Sequence, residues 1–91
     1  MLPIVWGAQA LDEFDNIIGY IAQFDKRASI KLHDRIEDAI LPLSRHPYIG
    51  RPGREDGMRE LIAHPNYIVI YQVRAADVRI VSVLHARREY P

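Results

Sequence analysis

Cysteine is absent from this 91-residue chain, so neither a disulfide framework nor a thiolate metal site is available to it, and a reducing compartment suits it. Long apolar runs are missing too: none approaches the roughly 20 residues that a membrane span needs. The start, Met1-Leu2-Pro3-Ile4-Val5-Trp6, has no basic region and only a short apolar run before Gly7, which speaks against a signal peptide. A cytoplasmic protein with no membrane partner is expected. His33, His46, His64 and His85 are scattered, with no pairing of the H-E-x-x-H kind, so no metal site is expected. No G-x-S-x-G, P-loop or dinucleotide fingerprint occurs, and no cofactor is expected. Gly50-Arg51-Pro52-Gly53 has the look of a phosphate loop, but its proline removes a backbone donor that such a loop needs, and turn-making is the better reading.

The chain does have an ordinary globular composition, 48% hydrophobic and 26% charged, enough for one domain over residues 1–91 with a thin core. Its formal net charge is zero, yet residues 1–44 carry four basic and seven acidic groups while residues 45–91 carry eight basic and five acidic. All eight of those basic residues are arginine, the side chain suited to planar, bidentate contacts with carboxylate or phosphate. Either they decorate solvated strands and loops, or the second half meets an anionic partner.

Periodicity divides the chain in the same place. Ile4-Val5-Trp6 reads as a short strand ended by Gly7, which then caps a helix. Leu11, Phe14, Ile17, Ile18 and Ile21 follow at the spacing of one helix face, with Asp12, Glu13 and Asp15 opposite. Gly19 weakens that helix, and a close neighbouring backbone would explain it. Asp25 is a good N-cap for a second helix with a stripe through Ile30 or Leu32, Ile36, Ala39, Ile40 and Leu43, so the two form an antiparallel hairpin. Pro42 predicts a kink or an early end. Ser44 to Gly57, with three glycines and two prolines, reads as a loop of fixed turns.

Three strands then follow: Met58 to Ile62, Tyr67 to Val73, and Val78 to His85, the last two joined through Ala75-Ala76-Asp77. Tyr67, Val69, Tyr71 and Val73 form one side-chain set and Ile68 and Ile70 the other. Both are apolar, so counting by twos leaves open which set meets the helices, and two helices covering one face would leave a sticky open one. The expected fold class is α+β: an N-terminal short strand and a two-helix hairpin packed on a small antiparallel sheet.

One chemistry remains open, a metal-free phosphodiester site built from Arg59, His85, Arg87, Arg88 and Tyr90. Cleaving RNA in that way requires a base, an acid and cations for the developing phosphorane charge. The arginines supply only the cations. His85 is the side-chain type that can serve as acid or base, and Tyr90 can orient a base or stack on one. The alternative is that His85 merely ends a strand and Tyr90 packs over the helices.

At this point the chain resembles the RelE/ParE superfamily of toxins from bacterial type II toxin–antitoxin modules. The resemblance rests on Trp6 through Ile21, Arg35-Ile36-Glu37-Asp38-Ala39-Ile40, Pro47 to Gly53, Arg59-Glu60-Leu61, Ile68-Val69-Ile70-Tyr71-Gln72-Val73 and Val83-Leu84-His85-Ala86-Arg87. It implies a helical hairpin against an antiparallel sheet, and a cognate antitoxin whose C-terminal segment wraps the toxin, ParD-like and of the ribbon-helix-helix kind. RelE-like members cleave mRNA in the ribosomal A site. ParE-like members poison DNA gyrase, a role tied to plasmid stabilization.

Against the ribonuclease pattern, Arg59 fits the first basic position, whereas Leu61 stands where a second base is expected and Ile68 where a phosphate-binding arginine is expected. Losing one preorganised cation from such a site costs about 2–4 kcal/mol of transition-state stabilisation. The resemblance therefore points to a ParE-like gyrase inhibitor without catalytic activity of its own, with Arg51, Arg54, Arg87 and Arg88 meeting gyrase or DNA. Leu61, Ile68 and Ile70 are the expected antitoxin-binding residues. The alternative is a RelE-like, metal-independent mRNA interferase acting on the ribosome and mRNA, with His85 as acid or base, Arg59 and Arg87 holding phosphate, and Tyr90 beside them.

Overall fold

Local chemistry sets the helix boundaries. Residues 8 to 22 form α1 (Ala8–Ala22), entered from the extended Gly7. The Asp25 side chain accepts a hydrogen bond from the Ala28 N–H and starts α2 (Lys26–Ile40), because that carboxylate satisfies one of the four donors a helix start leaves unpaired. Pro42 has the predicted effect: α2 stops at Ile40, and Leu41–Ser44 continue as a 3₁₀ turn with the proline near its start. The computed structural model describes the backbone of residues 1–89 and the side chains of residues 1–87.

The remaining elements are strands, apart from a short terminal turn. In chain order they are β1 (Ile4–Trp6), β2 (Arg51–Pro52), β3 (Met58–His64), β4 (Tyr67–Val73) and β5 (Val78–His85), followed by α3 (Ala86–Glu89). The sheet order is β1-β5-β4-β3-β2. β3, β4 and β5 form the expected antiparallel meander, but β1 runs parallel to β5, with Ile4 beside Val78 and Trp6 beside Ile80. The sheet is thus mixed. A second correction lies in the connector: Arg51 and Pro52 are not loop but a short edge strand against Glu60 and Arg59. Pro52 is tolerated because an edge position leaves its missing N–H facing outward. Gly57, at φ 81°, supplies the left-handed residue that turns the chain back into β3.

The helices cover the face carrying Val69 and Tyr71. Ala10, Phe14, Leu32, Ile36, Ile40 and Leu43 close the core with Ala63, Val69, Tyr71, Val78, Ile80 and Val83, and Tyr67 and Val73 pack at its margin. On α2 the stripe runs through Leu32, and Ile30 is exposed. Trp6 stacks on Phe14 at 5.1 Å and Phe14 on His33 at 5.2 Å, so one column of rings ties β1, α1 and α2 together. Two expectations for α1 fail. Leu11 is exposed and its place in the core is taken by Ala10. Gly19 faces open space, with nothing within 4 Å of where a Cβ would sit, so no neighbouring backbone accounts for it.

Tyr71, fully buried, does more than fill the core. Its hydroxyl donates to the Pro47 carbonyl at 2.7 Å and accepts from the Gly50 N–H at 2.9 Å. Replacing it as Tyr71→Phe strands both backbone groups and is expected to cost about 1–3 kcal/mol. A urea-denaturation midpoint unchanged from wild type would contradict this account of the connector.

Candidate functional site

Arg59 sits at the connector end of the sheet, beside Tyr71 on β4. Its guanidinium donates to the Gly50 carbonyl from Nε (3.1 Å) and Nη2 (2.6 Å) and to the Tyr48 carbonyl at 3.2 Å, and it lies over the Tyr48 ring at 5.3 Å. Next to it the Arg51 Nε meets the Glu60 carboxylate at 2.9 Å. Glu60 is buried, and burying such a polar group is costly unless it is hydrogen-bonded. Both arginines are thus engaged in holding the connector onto β3.

Two imidazoles occupy the opposite end. The Tyr67 ring lies between His64, at 5.6 Å, and His85, at 5.2 Å. The Nδ1 atom of His64 accepts the Asn66 N–H at 3.0 Å, and the Nδ1 atom of His85 accepts the Arg87 N–H at 3.2 Å. An Nδ1 that accepts carries no proton, so each neutral ring has its proton on Nε2. Burial, and secondarily the charge of Arg35, hold His64 below its ordinary pKa of 6.5.

Between α1 and β5 runs a groove of about 600 Å3, lined by Asn16, Ile17, Tyr20 and Ile21 on the helix and by Val83, Leu84, His85 and Tyr67 on the sheet. It exists because β1 covers β5 only from Val78 to Ile80. Past that point, among the described residues, β5 has β4 on one side and no strand on the other. Glu13 fills part of the gap: one carboxylate oxygen accepts from the Ser82 hydroxyl at 2.6 Å and from the Val83 N–H at 3.1 Å. Tyr20 and Phe24, both exposed, meet edge to face at 5.3 Å at the rim of the helical hairpin.

A paired helical hairpin over a mixed five-stranded sheet is a fold shared with known proteins. The model of the ParE toxin of the type II toxin–antitoxin system parDE matches residues 4–90. This chain belongs to that toxin family. The Y4kP protein of Sinorhizobium fredii is 38% identical over 89 residues, covering 97% of this chain and 92% of the relative. Toxin RelE2 of Caulobacter vibrioides is 34% identical over 88 residues, covering 97% and 99%. Among solved structures, a chain of the chromosomal ParDE system of P. aeruginosa superposes with a TM-score of 0.83 at 19% identity, covering 93% of this chain and 96% of that one. The protein is a type II toxin of the RelE/ParE superfamily.

In this ParE-family toxin the residues singled out from sequence fall into separate groups. Arg59 pairs with Tyr71 and His85 with Tyr67. Four residues of strand therefore separate the two pairs, a rise of about 13 Å. Arg59 and His85 thus sit at opposite ends of β4, and the set Arg59, His85, Arg87 is not gathered at one place. Arg51 and Arg54 lie with the connector and the exposed Arg87 with the imidazoles, so the four-arginine target set is also divided. The side chain of Arg88, and Tyr90 entirely, lie outside the described residues.

Leu61, Ile68 and Ile70 do not share a surface either. Leu61 packs against the core under the helices. Ile68, buried, and Ile70, partly so, point to the other face, where Glu60, Ile70, Ser82 and Leu84 line a shallow hollow with Gln9, Arg54 and Met58. That face carries a buried carboxylate and a hydroxyl at its centre, so it is less greasy than strand composition predicts. Within the described residues no group of side chains is arranged to hold a metal ion, and no helix is long and apolar enough to cross a membrane. Sequence reasoning missed Glu13, His64 and Tyr71 as positioned groups. His64 was open to detection, since a histidine two residues before Asn66 in a tight turn is placed to accept its N–H.

The direction at His64 has a consequence for stability. The unfolded chain takes up this proton more readily than the folded one, so the contribution is complete above pH 6.5 and is lost as pH falls through the lower folded-state value. Folding stability of the wild type is expected to decline as pH falls below about 6.5. His64→Gln should flatten part of that acid limb, and parallel curves for the two proteins would refute it.

Proposed function

We propose that this toxin acts in the ParE manner, as a non-hydrolytic poison of DNA gyrase in the cytoplasm, and that a ParD-like antitoxin neutralises it. The observation that carries the reading is the division of the charged residues. Phosphoryl transfer needs an acid or base and a cation within reach of one phosphate, and here the guanidinium of Arg59 is committed to carbonyls of the connector at the far end of the sheet from His85. The ParE family match supports it further.

Purified toxin added to gyrase is expected to inhibit supercoiling and to accumulate cleaved DNA, while a cell-free translation reaction at the same concentration continues. His85→Ala should leave that toxicity within about twofold of wild type, because a group with no chemical step to perform is not reflected in the rate. Unimpeded supercoiling together with codon-phased mRNA cuts would replace this reading with the ribonuclease one. The RelE-like alternative is favoured by a single arrangement, the His64–Tyr67–His85 ring cluster with two protonated Nε2 positions.

For the antitoxin, the groove between α1 and the uncovered part of β5 is the proposed seat of its C-terminal segment. Groove walls of Ile17, Ile21 and Val83 suit an apolar helix face, and the strand edge suits an extended stretch. Tyr20 lines that groove, and an aromatic side chain buried by a partner at the centre of an interface often supplies much of the binding energy. Tyr20→Asp is therefore expected to weaken antitoxin binding at least tenfold, about 1.4 kcal/mol, with toxicity retained. Calorimetric titration of the two purified proteins measures it, and an unchanged Kd would place the antitoxin elsewhere.

A further inference from the structure

The connector between α2 and β3 is held with more hydrogen bonds than a simple link requires. Tyr71 grips Pro47 and Gly50 from below, and Arg59 grips Tyr48 and Gly50 from the side. Gly50 has no room to be anything else: a Cβ there would stand 2.7 Å from the Glu60 carbonyl and 2.5 Å from the Tyr71 hydroxyl. What this rigid frame presents to solvent is apolar. Tyr48 is 67% and Ile49 56% exposed, side by side at the tip. Around them residues 45–54 carry Arg45, Arg51 and Arg54 and no acidic residue, and Arg45 and His46 are exposed.

We propose that this tip is a wedge for duplex DNA, with Tyr48 and Ile49 entering a base step from the minor groove and the exposed Arg45 beside them meeting a phosphate. Apolar side chains inserted between base steps beside basic groups are a recurrent way of gripping and kinking a duplex. Fixing the wedge in advance removes the ordering cost that a flexible loop would meet on insertion. Charge decides the class of partner. The centre of a protein–protein interface is depleted in charged residues, whereas here the exposed Arg45 and His46 precede the apolar pair and Arg51, its Nε held by Glu60, follows it. The contact goes beyond the gyrase reading, since it needs no gyrase.

Fluorescence anisotropy of a labelled duplex of about 20 base pairs, titrated with the whole toxin at several salt concentrations from about 50 mM upward, tests it. Micromolar binding is expected for the wild type. Tyr48→Ala with Ile49→Ser should weaken it at least tenfold with the salt slope unchanged. Arg45→Gln should lower the slope of log K against log salt by about 1, and Lys31→Gln, on α2, should leave it alone. Because Arg59 rests on the Tyr48 ring, Ile49→Ser by itself is measured as well, with antitoxin affinity and thermal midpoint as checks on folding. No binding of wild type at about 50 mM salt, wild-type affinity in Ile49→Ser and the double variant, or a preference for single-stranded DNA over duplex would each overturn the wedge. Loss of gyrase binding in the double variant with DNA binding intact would assign the tip to a protein partner. Gyrase inhibition is scored separately, so either reading can fail without the other.

Discussion

The buried hydroxyl of Tyr71 is the contact on which the second half of the molecule depends. A phenol in the middle of a thin core must find partners or cost free energy. It finds two from the connector, one as donor to Pro47 and one as acceptor from Gly50. That fixes the path of the chain after the 3₁₀ turn and brings Arg51 and Pro52 alongside β3. Once there, Arg51 reaches the buried Glu60, and Arg59 closes over the Gly50 carbonyl. One core side chain thereby organises a loop, an edge strand and two guanidinium groups. The part Arg59 plays follows from that arrangement: with Nε and Nη2 on carbonyls and an aromatic ring against it, the guanidinium clamps the connector to β3.

At the other edge of the sheet the constraint is length. β1 has only three residues, so it pairs with β5 as far as Ile80 before Gly7 releases the chain into α1. An uncovered strand edge invites pairing with another chain. Glu13 blunts it by offering a carboxylate oxygen to the Ser82 hydroxyl and the Val83 N–H, and in doing so sets the height of α1 above the strand. The groove bounded by Ile17, Tyr20 and His85 is the space that remains. Edge protection and the shape of the groove therefore draw on the same few residues, and a segment that entered the groove would lie beside a carboxylate already spoken for.

Much of this architecture is legible in the sequence where local chemistry dominates. Asp25 caps, Pro42 ends its helix, and the strands at Tyr67–Val73 and Val78–His85 begin and end where the β-branched runs do. Legibility fails where the answer depends on something distant in the chain. Ile4-Val5-Trp6 is apolar enough to pair with any free edge in either direction, so its parallel register on β5 is not written locally. Arg51-Pro52 reads as turn because its strand character comes wholly from Glu60 and Arg59 across from it. Glu13 looks like one more acid on a solvated helix face until β5 is beside it. Leu61 and Ile68 illustrate the same limit for the site: pairing of Leu61 with Val69 and of Ile62 with Ile68 sends the two side chains to opposite faces.

Register also decides what the charged residues can do together. An antiparallel meander places the start of β3 beside the end of β4 and the end of β5 beside the start of β4, so Arg59 and His85 are set apart by the length of β4 between their partners Tyr71 and Tyr67. No rotamer of either side chain removes a separation imposed by the backbone. Substitutions at Leu61 or Ile68 that restored basic residues would not remove it either: one would bury its charge under the helices, the other on the opposite face. The same topology that sets these residues apart gives the molecule separate surfaces, a groove of apolar and imidazole groups at one end of the sheet and a rigid connector carrying Tyr48 and Ile49 at the other.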